Sequence, residues 1–167
     1  MTEQRAPGEL VSKAATVDAR KAIKIEERIS IDRPAAELYA IWHTFERLPD
    51  YIDQLESVTA LTTELSHWVV KLPAGQHFAW DAQLVNDLPN ELIAWKTVAN
   101  PDVAHAGSVH FRDVSAGKAD MRIVIDYEPP GGKLGLLLDR FTRVFGQSLE
   151  FKIRADLLRF KKKVEGR

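Results

Sequence analysis

Residues 118–164 read KADMRIVIDYEPPGGKLGLLLDRFTRVFGQSLEFKIRADLLRFKKKV. The first part has a period of two. Met121, Ile123, Ile125 and Tyr127 share one face of an extended segment, 118–128, the pattern of a strand buried on one side. Two prolines and two glycines follow at 129–132. Proline has no N–H for a sheet ladder and glycine bends freely, so the strand stops there. Beyond them the period changes: Leu134, Leu138, Phe141, Phe145, Leu149, Ile153, Leu157 and Phe160 recur at intervals of three or four. That spacing predicts one long amphipathic helix over 133–164.

Upstream, Ile23, Ile25, Ile29 and Ile31 alternate with Lys24, Glu26, Arg28 and Ser30, which predicts a strand over 23–31 with Glu27 as an acid on its apolar side. Asp32 is placed to cap a helix, Arg33 precedes Pro34, and Glu37 supports the first turn. Helix 34–44 then sets Leu38, Ile41, Trp42 and Phe45 on one stripe, and a short helical piece covers 45–51. Strands 57–61 and 67–71 read as a hairpin turning near 63–66. A long strand, 77–87, carries Phe78, Trp80, Ala82 and Leu84 on one face and Asp81 and Gln83 on the other. Strand 92–98 follows the turn at 88–90, with Ile93 and Trp95 together. The loop 99–106 holds His105, and strand 107–113 sets Val109 and Phe111 against Ser108, His110 and Arg112. One strand, two short helices, about six strands and one long helix make an α+β domain with a mostly antiparallel sheet. Residues 1–22 show no clear period and include Pro7 and Gly8. They read as an N-terminal arm, with a short helix at most over 9–21, and 23–165 as a single domain.

The composition is ordinary for one globular domain: 167 residues, 45% apolar and 28% charged. There is no cysteine, which excludes disulfides, Fe–S clusters, thiolate zinc and a cysteine nucleophile. No apolar run reaches the roughly 18 residues of a membrane span, and the N-terminus lacks a signal-peptide core, so a cytoplasmic location is expected. A net charge of −1 argues against a general nucleic-acid binder. Residues 132–167 nevertheless hold ten Lys/Arg against four Asp/Glu. Basic residues at the end of a terminal helix suit its dipole; the alternative is a face for an acidic partner or an anionic membrane.

A sheet wrapped around one helix leaves a concave space, and such spaces are natural small-molecule sites. By alternation, Trp80, Trp95, Phe111, Met121, Ile123, Ile125 and Tyr127 point into it. Leu138, Phe141 and Phe145 face them from the helix, and Trp42 and Phe45 stand at one mouth. The same alternation fits a filled core, and pattern alone does not choose between the two.

Several segments resemble, in one order, the START-like (Bet v 1-like, SRPBCC) helix-grip superfamily, in particular its bacterial polyketide cyclase/dehydrase and lipid-transport group. They are RPAAELYAIWHTFERLPDYIDQLESV at 33–58, SHWVVKLPAG at 66–75, FAWDAQLVNDLPNELIAWKT at 78–97, AGSVHF at 106–111 and DYEPPGG at 126–132. The resemblance implies a seven-stranded antiparallel sheet gripping the C-terminal helix, with two short helices after the first strand. It also implies a deep cavity for a lipid-like or polycyclic ligand. The group includes aromatic polyketide cyclases, quinone-binding proteins and sterol or lipid carriers, and one fold hosts many functions.

Chemistry-bearing motifs are sparse. His43, His67, His77, His105 and His110 form no close-spaced ligand set, so no metal site and no cofactor is predicted. There is no nucleophile elbow and no phosphate loop. General acid/base work needs a polar group inside the apolar space, and Tyr127 and His105 are the candidates. Asp81 alternates away from it. Leucines in excess of one helix face at 134–138 suit a gate, a homodimer contact or a transient membrane contact. The expected function is binding or transport of a hydrophobic small molecule in an internal cavity. The alternatives are an aromatic polyketide cyclase/dehydratase and a protein-interaction module.

Overall fold

The computed structural model describes Val17, residues 20–71, 75–99, 101–129, Leu136 and 149–166, the side chains of 149–151 excepted. The element order is β1 (Ile23–Ile31), α1 (Ala35–His43), a 3-10 helix (Phe45–Asp50), β2 (Leu55–Ala60), β3 (Leu65–Lys71), β4 (His77–Leu88), β5 (Leu92–Val98), β6 (His105–Ser115), β7 (Lys118–Tyr127) and α2 (Leu149–Glu165). The strands form one antiparallel sheet in the order β1-β7-β6-β5-β4-β3-β2, a curled half-barrel with β1 and β2 as its edges. Two assignments move. His105 is the first residue of β6 rather than part of a loop, and the described part of the C-terminal helix begins at Leu149. The expected lining residues Leu138, Phe141 and Phe145 lie outside the described residues, as do Leu134 and Leu137; Leu136 is helical and exposed.

The curl has local causes. Registers shift between Leu84 and Asn86 in β4, between Asp113 and Ser115 in β6, and between Leu55 and Ser57 in β2. Each extra residue bends its strand and raises its twist. Val85 and Val114, the residues inserted in β4 and β6, are exposed. Tight turns supply the reversals: Asn90 between β4 and β5 and Gly117 between β6 and β7 both adopt positive φ, a conformation that asparagine and glycine tolerate.

The helix over 35–43 forms as its apolar stripe predicts, but its start is capped differently. Pro34 occupies the N-cap without a side-chain bond. The Ala35 N–H donates instead to Asp113 Oδ1 on β6, at 2.8 Å, so the cap Asp32 was expected to supply comes from a strand 78 residues on. This bond ties α1 to the sheet, where it covers β5, β6 and β7. Ile31, Leu38, Leu48, Val109, Phe111, Ala119, Met121 and Phe160 form the dense part of the core.

Helix α2 is strapped on both sides. Glu27, buried on the inward face of β1, accepts a two-pronged bond from Arg154 at 3.0 and 3.2 Å. Lys161 donates to the Ser30 carbonyl at 2.7 Å, and Lys163 reaches Asp53 at 2.8 Å. Much of the basic charge of this helix is therefore spent within the fold, tying it to β1 on one side and to the segment before β2 on the other.

Candidate functional site

Between α2 and the concave face of β3–β7 lies a cavity of about 890 Å³, in the size range of small-molecule sites. All four tryptophans line it: Trp42 from α1, Trp68 from β3, Trp80 from β4 and Trp95 from β5. Phe45, Ile123, Ile125 and Tyr127 line it too, and Ile153, Leu157 and Phe160 supply the helix side. No Lys or Arg is among its described lining residues.

The rings form a path. His43 lies 5.8 Å from Phe45, Phe45 lies 5.9 Å from Trp68, and Trp68 stacks on Trp80 at 6.1 Å and 12°. Trp80 meets His105 edge to face at 4.8 Å. Cross-strand register makes this stacking: Trp68 pairs with Trp80, so both indoles leave the same face at neighbouring positions. Trp95 owes its place to a glycine. It pairs with Gly107 on β6, and a Cβ there would lie 2.4 Å from the Trp95 ring.

The two candidate acid/base residues are brought together. His105 and Tyr127 are direct cross-strand partners between β6 and β7, and both line the cavity. The His105 ring is nearly buried. Its Nδ1 faces the Val103 carbonyl at 3.1 Å, and its backbone N–H donates to Thr97 Oγ1 at 3.1 Å. Burial pushes its pKa below the ordinary imidazole value, with the Val103 bond opposing only in part, so the ring is neutral at physiological pH.

Several polar groups on the wall and at its rim were not anticipated. Asp156 of α2 faces the cavity, and burial raises its pKa to about 6 despite the Arg159 guanidinium 2.8 Å away. Ser66 accepts the Trp68 indole N–H at 2.8 Å. At the rim, His43 donates from Nε2 to Asp87 Oδ2 at 2.7 Å, and the Tyr39 hydroxyl donates to the other carboxylate oxygen. Burial acts against the Asp87 charge, but these two bonds outweigh it and hold its pKa below the ordinary carboxylate value. Burial, aided by Asp87, lifts Tyr39 to about 12. Some signals for these residues were present in the sequence. Asp156 falls at i+3 from Ile153 and i−4 from Phe160, on the apolar stripe itself. Trp68 and Val70 alternate inward, but Val69 between them blurs the pattern. Nothing local marks Gly107, whose role depends on pairing.

Two expected wall residues stand elsewhere. Phe111 and Met121 face inward but lie outside the cavity wall, in the dense core. Phe111 packs edge to face on Tyr39 of α1, at 6.0 Å. The helix fills the space above that part of the sheet. Asp81 points to the outer face and binds His67 at 2.6 Å. His77 pairs with Glu56, four residues along β3–β4 from the His67–Asp81 pair, and among the described residues no His/Asp/Glu group is arranged to hold a metal ion. Trp42 Nε1 is a buried donor with no partner among the described residues. No described helix is long and apolar enough to cross a membrane.

The sequence profile of the family described as polyketide cyclase / dehydrase and lipid transport matches residues 31–154. An uncharacterised 17.2 kDa protein of Streptomyces lincolnensis is 31% identical over 147 residues, 86% of this chain and 91% of that protein. A protein of Deinococcus radiodurans with a solved structure is 27% identical, with a TM-score of 0.64 over 86% of this chain and 98% of that one. The Zhui aromatase/cyclase of Streptomyces sp. R1128 shares the fold at 14% identity, with a TM-score of 0.65 over 86% of this chain and 96% of that one. The common architecture is the helix-grip fold, found also in START-superfamily and major latex-like proteins.

Proposed function

We propose that this chain, which belongs to the polyketide cyclase/dehydrase and lipid transport family, binds and carries a hydrophobic small molecule in its central cavity without transforming it. The observation that carries this reading is the cavity wall: about 890 Å³ bounded by four indoles and by aliphatic side chains. Burying an apolar molecule against such a wall gains roughly 25 cal/mol per Å² removed from water. Aromatic faces hold flat or chain-like ligands with little demand for directional bonds. The polar groups on the wall are scattered. His105 is bound to a backbone carbonyl, Asp156 to Arg159, and Ser66 to Trp68; among the described lining residues no nucleophile is paired with an oriented base, as covalent catalysis requires, and the Ser108–His110 pair, 2.9 Å apart, is not on the wall.

A second reading, cyclisation or dehydration of an aromatic polyketide, is favoured by one observation. His105 and Tyr127 are opposite each other in register and share the cavity, which suits proton transfer to and from one substrate carbon or oxygen.

Native mass spectrometry of the protein purified from its host, followed by organic extraction, tests the choice. A carrier retains one apolar molecule per chain, and that molecule is unchanged on incubation. Conversion of the extracted molecule by wild-type protein, lost in His105→Gln and Tyr127→Phe, would establish the catalytic reading instead.

A further inference from the structure

We propose that the His105 end of the cavity is a subsite for a hydroxyl group, and that the ligand is an apolar molecule with an alcoholic or phenolic O–H that donates to His105 Nε2. The inference rests on the ligand-binding reading above and adds the chemical class of the ligand. Nδ1 lies 3.1 Å from the Val103 carbonyl oxygen, which can only accept, so Nδ1 carries the hydrogen. The other nitrogen of a neutral imidazole then holds a lone pair and no hydrogen.

That lone pair has no hydrogen-bond partner among the described residues. The ring is only 8% exposed, in contact with Trp80 on one side, and lines the cavity. Nε2 is not among the fully buried atoms that lack a partner and therefore opens onto the cavity, where an unmatched acceptor favours a donor, and rotation of the ring would break the Val103 bond. The ligand is therefore the group best placed to supply a donor.

The charge of the surroundings narrows which donor. Glu46, Glu64 and Asp156 line the cavity, and no described Lys or Arg does. A carboxylate or phosphate headgroup at this end would meet the lone pair of His105, with no Lys or Arg among the described lining residues to offset its charge. An ammonium group would lose its hydration at the His105 end, where no described carboxylate is bonded to the ring. A pure hydrocarbon would leave Nε2 unpaired. A neutral hydroxyl avoids all three penalties, and burial keeps the imidazole in the accepting form.

The test uses four probes of one ring system: 2-naphthol, 2-naphthylmethanol, 2-methoxynaphthalene and 2-naphthoate. Each is titrated against the full chain, with tryptophan fluorescence as the readout. At least one hydroxyl probe is expected to bind about fivefold to tenfold tighter than the methyl ether, the gain of one added hydrogen bond, and 2-naphthoate weakest. Preference for the naphthol alone or the methanol alone supports the proposal and assigns a phenolic or an alcoholic ligand respectively. His105→Phe is expected to erase the preference while the ether still binds. On the wild-type protein, the ¹⁵N resonance of His105 Nε2 should move with the preferred hydroxyl probe and not with the ether. Equal binding of ether and both hydroxyl probes, or a preference that survives in His105→Phe, would overturn the subsite and leave the cavity reading standing. Failure of all four probes to bind would overturn the cavity reading itself.

Discussion

The inward faces of β6 and β7 are built alike but end in two different environments. Their paired positions run Phe111–Met121, Val109–Ile123, Gly107–Ile125 and His105–Tyr127. At the first pair, α1 lies against the sheet and both side chains are almost fully buried in dense core. At the last two pairs Ile125, Tyr127 and His105 border the cavity. The residue types change in step. Bulky side chains fill the first half, whereas the second half holds a glycine, over which Trp95 lies, and an imidazole nitrogen with no partner among the described residues. One sheet face is thus a core at one end and a binding wall at the other, and what covers it makes the difference.

Truncations should separate the halves. Phe111→Ala removes a packed ring that the helix above cannot replace, at an expected cost of about 3–5 kcal/mol. The thermal midpoint should fall by roughly 10 °C or more, while any folded fraction still binds an apolar probe. Gly107→Ala attacks the other half. Its new Cβ would meet the Trp95 ring, so the indole must swing into the cavity. Overpacking of this kind costs about 1–3 kcal/mol, and here it should also weaken probe binding, measured by titration of tryptophan fluorescence. Loss of binding without any shift of the tryptophan emission would contradict that geometry.

A charge change sharpens the comparison further. Asp156 holds its proton up to about pH 6 in the fold, against an ordinary value of 3.8. Its contribution favours the fold below pH 3.8 and is lost as the pH rises through 6. Asp156→Asn is expected to stabilise the protein at pH 7.5 by about 1–2 kcal/mol, allowing for partial solvent screening, and to do little at pH 4. His105 acts in the opposite sense: its depressed pKa withdraws stability as the pH falls below the ordinary imidazole value of 6.5. The smallest effect belongs to the outer face. Arg112 reaches Asp120 at 3.4 Å from a largely exposed position, so Arg112→Ala should change stability by less than about 0.5 kcal/mol and probe affinity not at all.

The strands were legible because alternation follows directly from which side of a sheet meets water. The inward set Ile25, Ile29, Trp80, Trp95, Ile123 and Ile125 could be read without any knowledge of pairing, and Glu27 stood out as an acid on the apolar side of its strand. The family resemblance added the seven-stranded sheet gripping the C-terminal helix and the expectation of a cavity. What could not be read is where on that inward face the core ends. Phe111 and Ile125 obey the same rule in sequence, and only the position of α1 assigns one to packing and the other to the wall. Contacts made across long separations were likewise hidden: the Asp113 cap on α1, the Arg154–Glu27 bond and the Gly107 seat for Trp95 depend on register. The Pro101 region masks the start of β6, so alternation alone places His105 in a loop rather than at the head of that strand.

The most direct measurement of the hollow half is a titration of 2-methoxynaphthalene into wild-type protein and into Ile125→Trp, followed by tryptophan fluorescence with the thermal midpoint recorded for each. Ile125 borders the cavity opposite Gly107, so the larger ring should occupy the space a ligand would take. Saturable one-to-one binding by the wild type, lost in a variant whose midpoint is equal or higher, is the predicted result. Equal binding by both proteins, or a variant destabilised like a core overpacked by an added ring, would show that no ligand-sized space exists beside Ile125.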